Sequence, residues 1–188
     1  FTKTLLQSRV YQLGSASNDS NRDDQQNFSH AAYKAIPAEA LLDAISQTTG
    51  IAEKFNGWPE GYRAIQVWDN RMPSYFFQIF GRPVRATVCE CERSGEPSIS
   101  QALHLLNSPE IMAKIQHRNG TARRLANSEL TDDELIDELY LTTLSRFPNE
   151  EERNLMREAF SDSGSERIAA VEDVLWALLN TKEFIFNH

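Results

Sequence analysis

Residues 51 to 97 restrict the fold more than any other part of this 188-residue chain. Four of the seven prolines (Pro59, Pro73, Pro83, Pro97), four of the eight glycines and two of the three tryptophans fall here, and no helical period is sustained. Proline removes a backbone donor and clashes with the preceding turn, so a stretch punctuated in this way forms neither a long helix nor a central strand. The core must therefore come from the flanking segments. Within the stretch, the alternation of Arg63-Ala-Ile-Gln-Val-Trp68 predicts a short strand or extended segment. Ser74-Tyr-Phe-Phe-Gln-Ile-Phe80 predicts a compact aromatic helix or turn before Gly81-Arg-Pro83. Long irregular segments inside compact domains are uncommon and are usually functional.

The flanks are helical. Pro37 sits in the first turn of a predicted helix that runs to about Thr49, buries Ala38, Leu41, Leu42 and Ile45, and ends at Gly50 as a left-handed terminator. Residues 14 to 27, almost all small or polar, predict a loop. On the other side, Ser98 and Gln101 form a capping box ahead of Ile99, Ala102, Leu103, Leu105 and Leu106, and Ser108-Pro109 starts a short helix over about 109–117. Thr131-Asp-Asp-Glu134 caps a helix with Leu135, Ile136, Leu139, Tyr140 and Leu144 on one face. Asn149-Glu-Glu-Glu152 caps another, with Leu155, Met156, Ala159 and Phe160 inward. A last helix over about 165–182 buries Ile168, Val171, Val174, Leu175, Leu178 and Leu179. The expected fold is mainly α: a helical bundle with a long irregular, aromatic, Pro- and Gly-rich middle and at most a short strand or hairpin. Residues 1–188 are expected to form a single domain, with 1–50 a helix–loop–helix, 51–97 irregular and 98–188 the bundle.

Charge excludes one class of partner. With 27 Asp and Glu against 19 Lys and Arg the chain carries −8, whereas affinity for nucleic acid comes from clustered basic residues. No apolar run approaches the ~20 residues that span a bilayer. Glu129, Asp132, Asp133, Glu134, Asp137 and Glu138 read as helix-start carboxylates and a solvated face rather than a site. The opening residues, with Phe1, Leu5 and Leu6 on one face, read as the last turns of an amphipathic helix, so the chain is expected to be cut from a longer protein.

Three strings could carry chemistry. Both cysteines lie within three residues, Cys89-Glu-Cys91. A bridge between them would be strained, because residues i and i+2 of a strand stand ~6.6 Å apart with parallel Cβ vectors. Two thiolates could instead supply half a zinc site, although His30, His104, His117 and His188 stand at no diagnostic spacing, or they could be plain buried thiols. No metal is expected. The second group is Asp69, Arg71, Arg82, Arg85, Glu90, Glu92 and Arg93, rimmed by Trp58, Tyr62, Trp68, Tyr75 and Phe76. Buried arginines often tie carbonyls and carboxylates together, which is a structural role. Aromatic platforms beside carboxylates and guanidinium groups also suit glycan faces, and two facing carboxylates could act as acid and base. That enzymatic reading requires the carboxylates to converge in one open cleft. The third string, Asn27-Phe-Ser-His30, reads as a loop-to-helix junction capped by Ser29, since no nucleophile elbow is present.

Taken together, Ser8-Arg-Val-Tyr-Gln12, Asn27-Phe-Ser-His30, Pro37-Ala-Glu-Ala-Leu-Leu-Asp-Ala-Ile-Ser46, Ser74-Tyr-Phe-Phe77, Phe80-Gly-Arg-Pro83, Cys89-Glu-Cys-Glu-Arg93, Gln101-Ala-Leu-His-Leu-Leu-Asn107, Leu139-Tyr-Leu-Thr-Thr-Leu-Ser-Arg146 and Leu175-Trp-Ala-Leu-Leu-Asn180 followed by Glu183-Phe-Ile-Phe-Asn-His188 resemble the planctomycete family called domain of unknown function 1553. The resemblance spans essentially the whole chain. It implies the C-terminal part of a multidomain protein that also carries a domain of unknown function 1549, often with a cytochrome-c-like haem domain or a carbohydrate-binding module, behind a signal peptide. The implied location is extracytoplasmic. This chain has no Cys-x-x-Cys-His, so no cofactor is expected in it. Leu139-Tyr140 through Arg146-Phe-Pro148 resembles a helical hairpin in which Arg and Pro shape the turn. The resemblance names no reaction. The expected role is binding or scaffolding, through contacts with the parent's upstream domains or with polysaccharide. The alternative is a part in a hydrolytic or redox-assisted enzyme acting on polysaccharides.

Overall fold

The computed structural model describes residues 1–24, 26–68, 73–83, 98–162 and 166–187. Among them the chain is mainly helical: α1 (Thr2–Leu6), α2 (Ala38–Thr49), α3 (Tyr75–Ile79), α4 (Ile99–Asn107), α5 (Pro109–Ile115), α6 (Thr121–Ala126), α7 (Asp132–Leu144), α8 (Glu150–Asp162), α9 (Arg167–Leu179) and α10 (Lys182–Ile185). A 3₁₀ turn, η1, covers Ala64–Gln66. Two short strands, β1 (Lys34–Ala35) and β2 (Phe186–Asn187), pair antiparallel with Lys34 opposite Asn187.

Local chemistry starts most of these helices. Ser98 accepts the N–H of Gln101 at 3.2 Å, and the Gln101 amide accepts that of Ser98 at 3.2 Å. Thr131 and Glu134 make the same reciprocal pair, and Asn149 and Glu152 do so at 2.8 Å in both directions. Each satisfies donors that a helix start leaves open. Pro37 lies one residue before α2 rather than inside its first turn.

α9 is the central rod. Val171 and Leu175 are wholly buried and Val174, Leu178 and Leu179 nearly so, and the helix packs against α5, α6, α7 and α8. Each such side chain contributes ~1.5–3 kcal/mol when fully removed from water. α2 lies against α3, α5, α6 and η1 and buries its expected stripe of Ala38, Leu41, Leu42 and Ile45. Its end comes close to the start of α6. Gly50 has φ +73°, and a Cβ there would stand 2.9 Å from Thr121 Oγ1. A Cβ on Gly120 would meet three backbone carbonyls at 3.0–3.2 Å. Only glycines allow this approach.

Several expectations change. Arg63–Trp68 is not extended but enters η1, because the Asp43 carboxylate takes the N–H of Ala64 at 2.6 Å and of Ile65 at 3.2 Å. α6, which sequence periodicity had not suggested, follows Gly120. The last helix ends at Leu179, where Asn180 and Thr181 bond back to Trp176 and Leu178 and Thr181 caps α10. Leu155 is 60% exposed, one position off the face on which Met156, Ala159 and Phe160 pack. α4 buries only Leu105 and leaves Ile99, Leu103 and Leu106 exposed. α1 buries nothing. The short-strand expectation holds, with the pairing made between distant parts of the chain.

Candidate functional site

The described half of the aromatic segment is built on α2. Asp43, whose side chain is almost buried, clamps the start of η1 and lies 3.5 Å from the Arg63 guanidinium. η1 buries Ala64 and Val67 and turns Ile65 and Trp68 outward. Trp58 is partly buried between Tyr62, 5.2 Å between ring centroids, and Trp68, 5.6 Å and edge-on. Trp68 is 77% exposed.

Arg82 supports this arrangement from below. Its side chain is buried, pairs with Glu39 of α2 at 3.4 Å, donates to the Val67 carbonyl and lies 4.4 Å over the Phe77 ring. The guanidinium joins α2, η1 and α3 at one point, and this is the structural role that a buried arginine fills best. The side chain that makes these contacts is 4% exposed.

Tyr75 begins α3, behind the Ser74 cap, and is 65% exposed. Its ring stands edge-on to His104 at 5.4 Å, and His104 in turn meets Phe76 and Phe80. Burial lowers the pKa of His104, against the opposing charge of Glu110. On one side of Tyr75 lies a hollow of about 530 Å³ over Leu42, Ile45, Phe55, Phe76 and Ile111, with Asn56, Glu110 and His117 at its rim. On the other lies a hollow of about 590 Å³ bounded by Ser100, His104, Asn107 and Glu110. Lys114 at the first hollow is fully engaged, at 2.8 Å from the Ile51 carbonyl and 3.1 Å from Glu53.

Of the residues picked out by sequence, the structure brings Trp58 and Trp68 together, sets Tyr75 on the rim of two hollows and places Arg82 in the core. Asp69, Arg71, Arg85, Cys89, Glu90, Cys91, Glu92 and Arg93 lie outside the described residues. In the third string, the Asp24 carboxylate accepts from the Ser29 hydroxyl and the N–H groups of Gln26, Asn27 and Ser29. Those bonds, led by Ser29, hold its pKa well below the ordinary carboxylate range. Ser29 thus closes a loop rather than capping a helix, and His30 Nδ1 faces the Ala31 carbonyl. Among the described residues no three His, Cys, Asp or Glu side chains gather as metal ligands, and no helix is long and apolar enough to cross a membrane. Sequence reading missed Asp43 and Glu39 because each acts on a partner distant in sequence.

These features define a mainly helical protein module with an aromatic face and two hollows beside Tyr75. The chain belongs to the family PSD1, described as "Protein of unknown function (DUF1553)", whose match covers residues 1–160. No curated protein and no solved structure matches the chain.

Proposed function

We propose that this chain is a binding or scaffolding module of a larger extracytoplasmic protein, and that its Trp58–Tyr62–Trp68 face is the surface that meets a neighbouring domain of that protein. The observation that carries this reading is Trp68: a large ring, 77% exposed, edge-packed on Trp58 and fixed by a turn that Asp43 holds. Tryptophans on rigid supports are common anchors of interfaces, because they bring large apolar area with little freedom to lose. Ile65 beside it is 62% exposed, and the stripes Phe1, Leu5, Leu6 on α1 and Ile99, Leu103, Leu106 on α4 are also bare. Uncovered apolar surface of this extent suits contact with protein.

The test mixes this chain with the separately produced remainder of its parent and measures association by calorimetry. A complex should form, and Trp68→Ala should weaken it by about tenfold or more, as for a central anchor. Absence of a complex, or equal binding by the variant, would remove the scaffolding role from this face. Binding of a polysaccharide at Trp68 instead would move the same surface to glycan recognition.

A further inference from the structure

Tyr75 and Glu110 line both hollows described above. The two hollows therefore adjoin at Tyr75 and open a groove to either side of it. Three properties narrow what could lie in it. The first is charge. Lys114 is held by the Ile51 carbonyl and Glu53, and Lys54 lies 3.7 Å from Glu60. Glu110 adds a negative charge at the centre, on a protein that carries −8. Among the described lining residues both lysines face carboxylates and Glu110 adds negative charge, which disfavours an anionic ligand.

The second property is the platform. Tyr75 is exposed, yet its ring is steadied by His104, which the rings of Phe76 and Phe80 hold in turn. A steadied ring loses little freedom when a flat ligand face covers it. The third is the rim. Asn56 and His117 line one hollow, and Ser100 and Asn107 the other, so amide, imidazole and hydroxyl groups border the groove. A sugar ring has the matching form, with an apolar C–H face bordered by hydroxyl groups that both donate and accept.

We propose that the groove binds a neutral oligosaccharide, with one sugar ring stacked on Tyr75 and the adjoining units lying in the hollows to either side. This site is distinct from the Trp68 face and does not depend on the partner assigned there.

The test titrates the chain with neutral hexasaccharides (cello-, xylo-, manno- and chitin-derived), following backbone amide shifts and heats of binding. At least one should shift the amides of Tyr75, Asn107 and Glu110. Tyr75→Ala should then weaken that hexasaccharide by about tenfold, while Tyr75→Phe, which keeps the ring, stays within about threefold. Trp68→Ala should leave the affinity unchanged, and polygalacturonate should not compete. Circular dichroism and unfolding curves confirm that the variants fold. Failure of every hexasaccharide at millimolar concentration, or equal affinity in Tyr75→Ala, overturns the groove. Affinity that falls with Trp68→Ala and not with Tyr75→Ala overturns it too, and assigns glycan binding to the other face.

Discussion

Asp43 stands beside Leu42 on α2, and its two oxygens accept the backbone N–H groups of Ala64 and Ile65, 21 and 22 residues further along. Hydrogen bonds to an ionised partner are worth ~1.5–3 kcal/mol each, and their loss leaves the part-buried Ala64 donor without a substitute. Asp43→Ala should therefore destabilise the protein by about 2–3 kcal/mol, and it should also alter tryptophan emission, because η1 carries Trp68 against Trp58. Urea unfolding followed by fluorescence measures both. Unchanged stability would mean that η1 forms without the clamp. The same residue explains why Arg63–Trp68 departs from the extended segment that its sequence predicts. Ala64 and Val67 are the buried positions, a spacing of three that belongs to a 3₁₀ turn. With Ile65 and Trp68 also apolar, the short string does not by itself separate a turn from an extended segment, and the carboxylate that decides between the two is out of local range. Arg82 was legible as a buried, tying arginine, whereas its partners Glu39 and Val67 were not.

At the scale of elements, the caps were the most legible part of the chain because each is complete within four residues. Ser98 with Gln101, Thr131 with Glu134 and Asn149 with Glu152 all start the helices expected of them. The acids of α7 were legible as helix-start and surface residues, but their pairing across to α8 was not: Asp133 meets Arg157 at 2.7 Å and Asp137 meets Arg153 at 2.6 Å. The turn between these helices centres on Arg146, after Ser145 at φ +57°. Arg146 bonds both oxygens of Glu152 at 2.7–2.8 Å and both oxygens of Glu183, on α10, at 2.7 Å. Removing it leaves two carboxylates facing each other. Loss of one partner in a buried pair costs ~3–5 kcal/mol, but the Arg146 side chain is 36% exposed, so about 2–3 kcal/mol is expected for Arg146→Ala. Hydrogen bonds from Arg146, and then from the Asn149 N–H, hold the Glu152 carboxyl below its ordinary pKa. A carboxylate depressed in the folded state stabilises above its unfolded pKa, and that stability is lost as pH falls through the folded value. Stability should accordingly decline below about pH 4.5, with a shallower decline in Arg146→Ala. Asp133, lowered by its bonds to Arg157, contributes in the same direction in both proteins. Urea unfolding between pH 3 and 7 makes the comparison, and parallel curves would remove Arg146 from the acid response.

At the scale of the molecule, the chain folds back on itself in a way that periodicity does not encode. The buried stripes of α2, α7 and α9 were largely legible. That α2 packs into the bundle through α5 and α6, and that residues 34–35 pair with residues 186–187, was not legible, because two-residue strands carry no alternation to read. The closure is concentrated in the last residues. Phe184 is 5% exposed, Glu183 holds Arg146, and the Ile36 N–H donates to the Ile185 carbonyl at 3.1 Å. Truncation after Thr181 removes all three. Burial of Phe184 alone is worth ~1.5–3 kcal/mol, and with the ion pair the loss should reach about 3–5 kcal/mol. Hydrogen exchange separates local from global loss. The Ile36 amide should exchange like that of an open chain in the truncated protein, while the interior amides of α9, enclosed by α5 to α8, remain the slowest. Retained protection at Ile36 would show that the lead-in to α2 is held by the loop before it rather than by the C-terminal strand, and the two-residue ladder would then be a consequence of the packing of α2 instead of its cause.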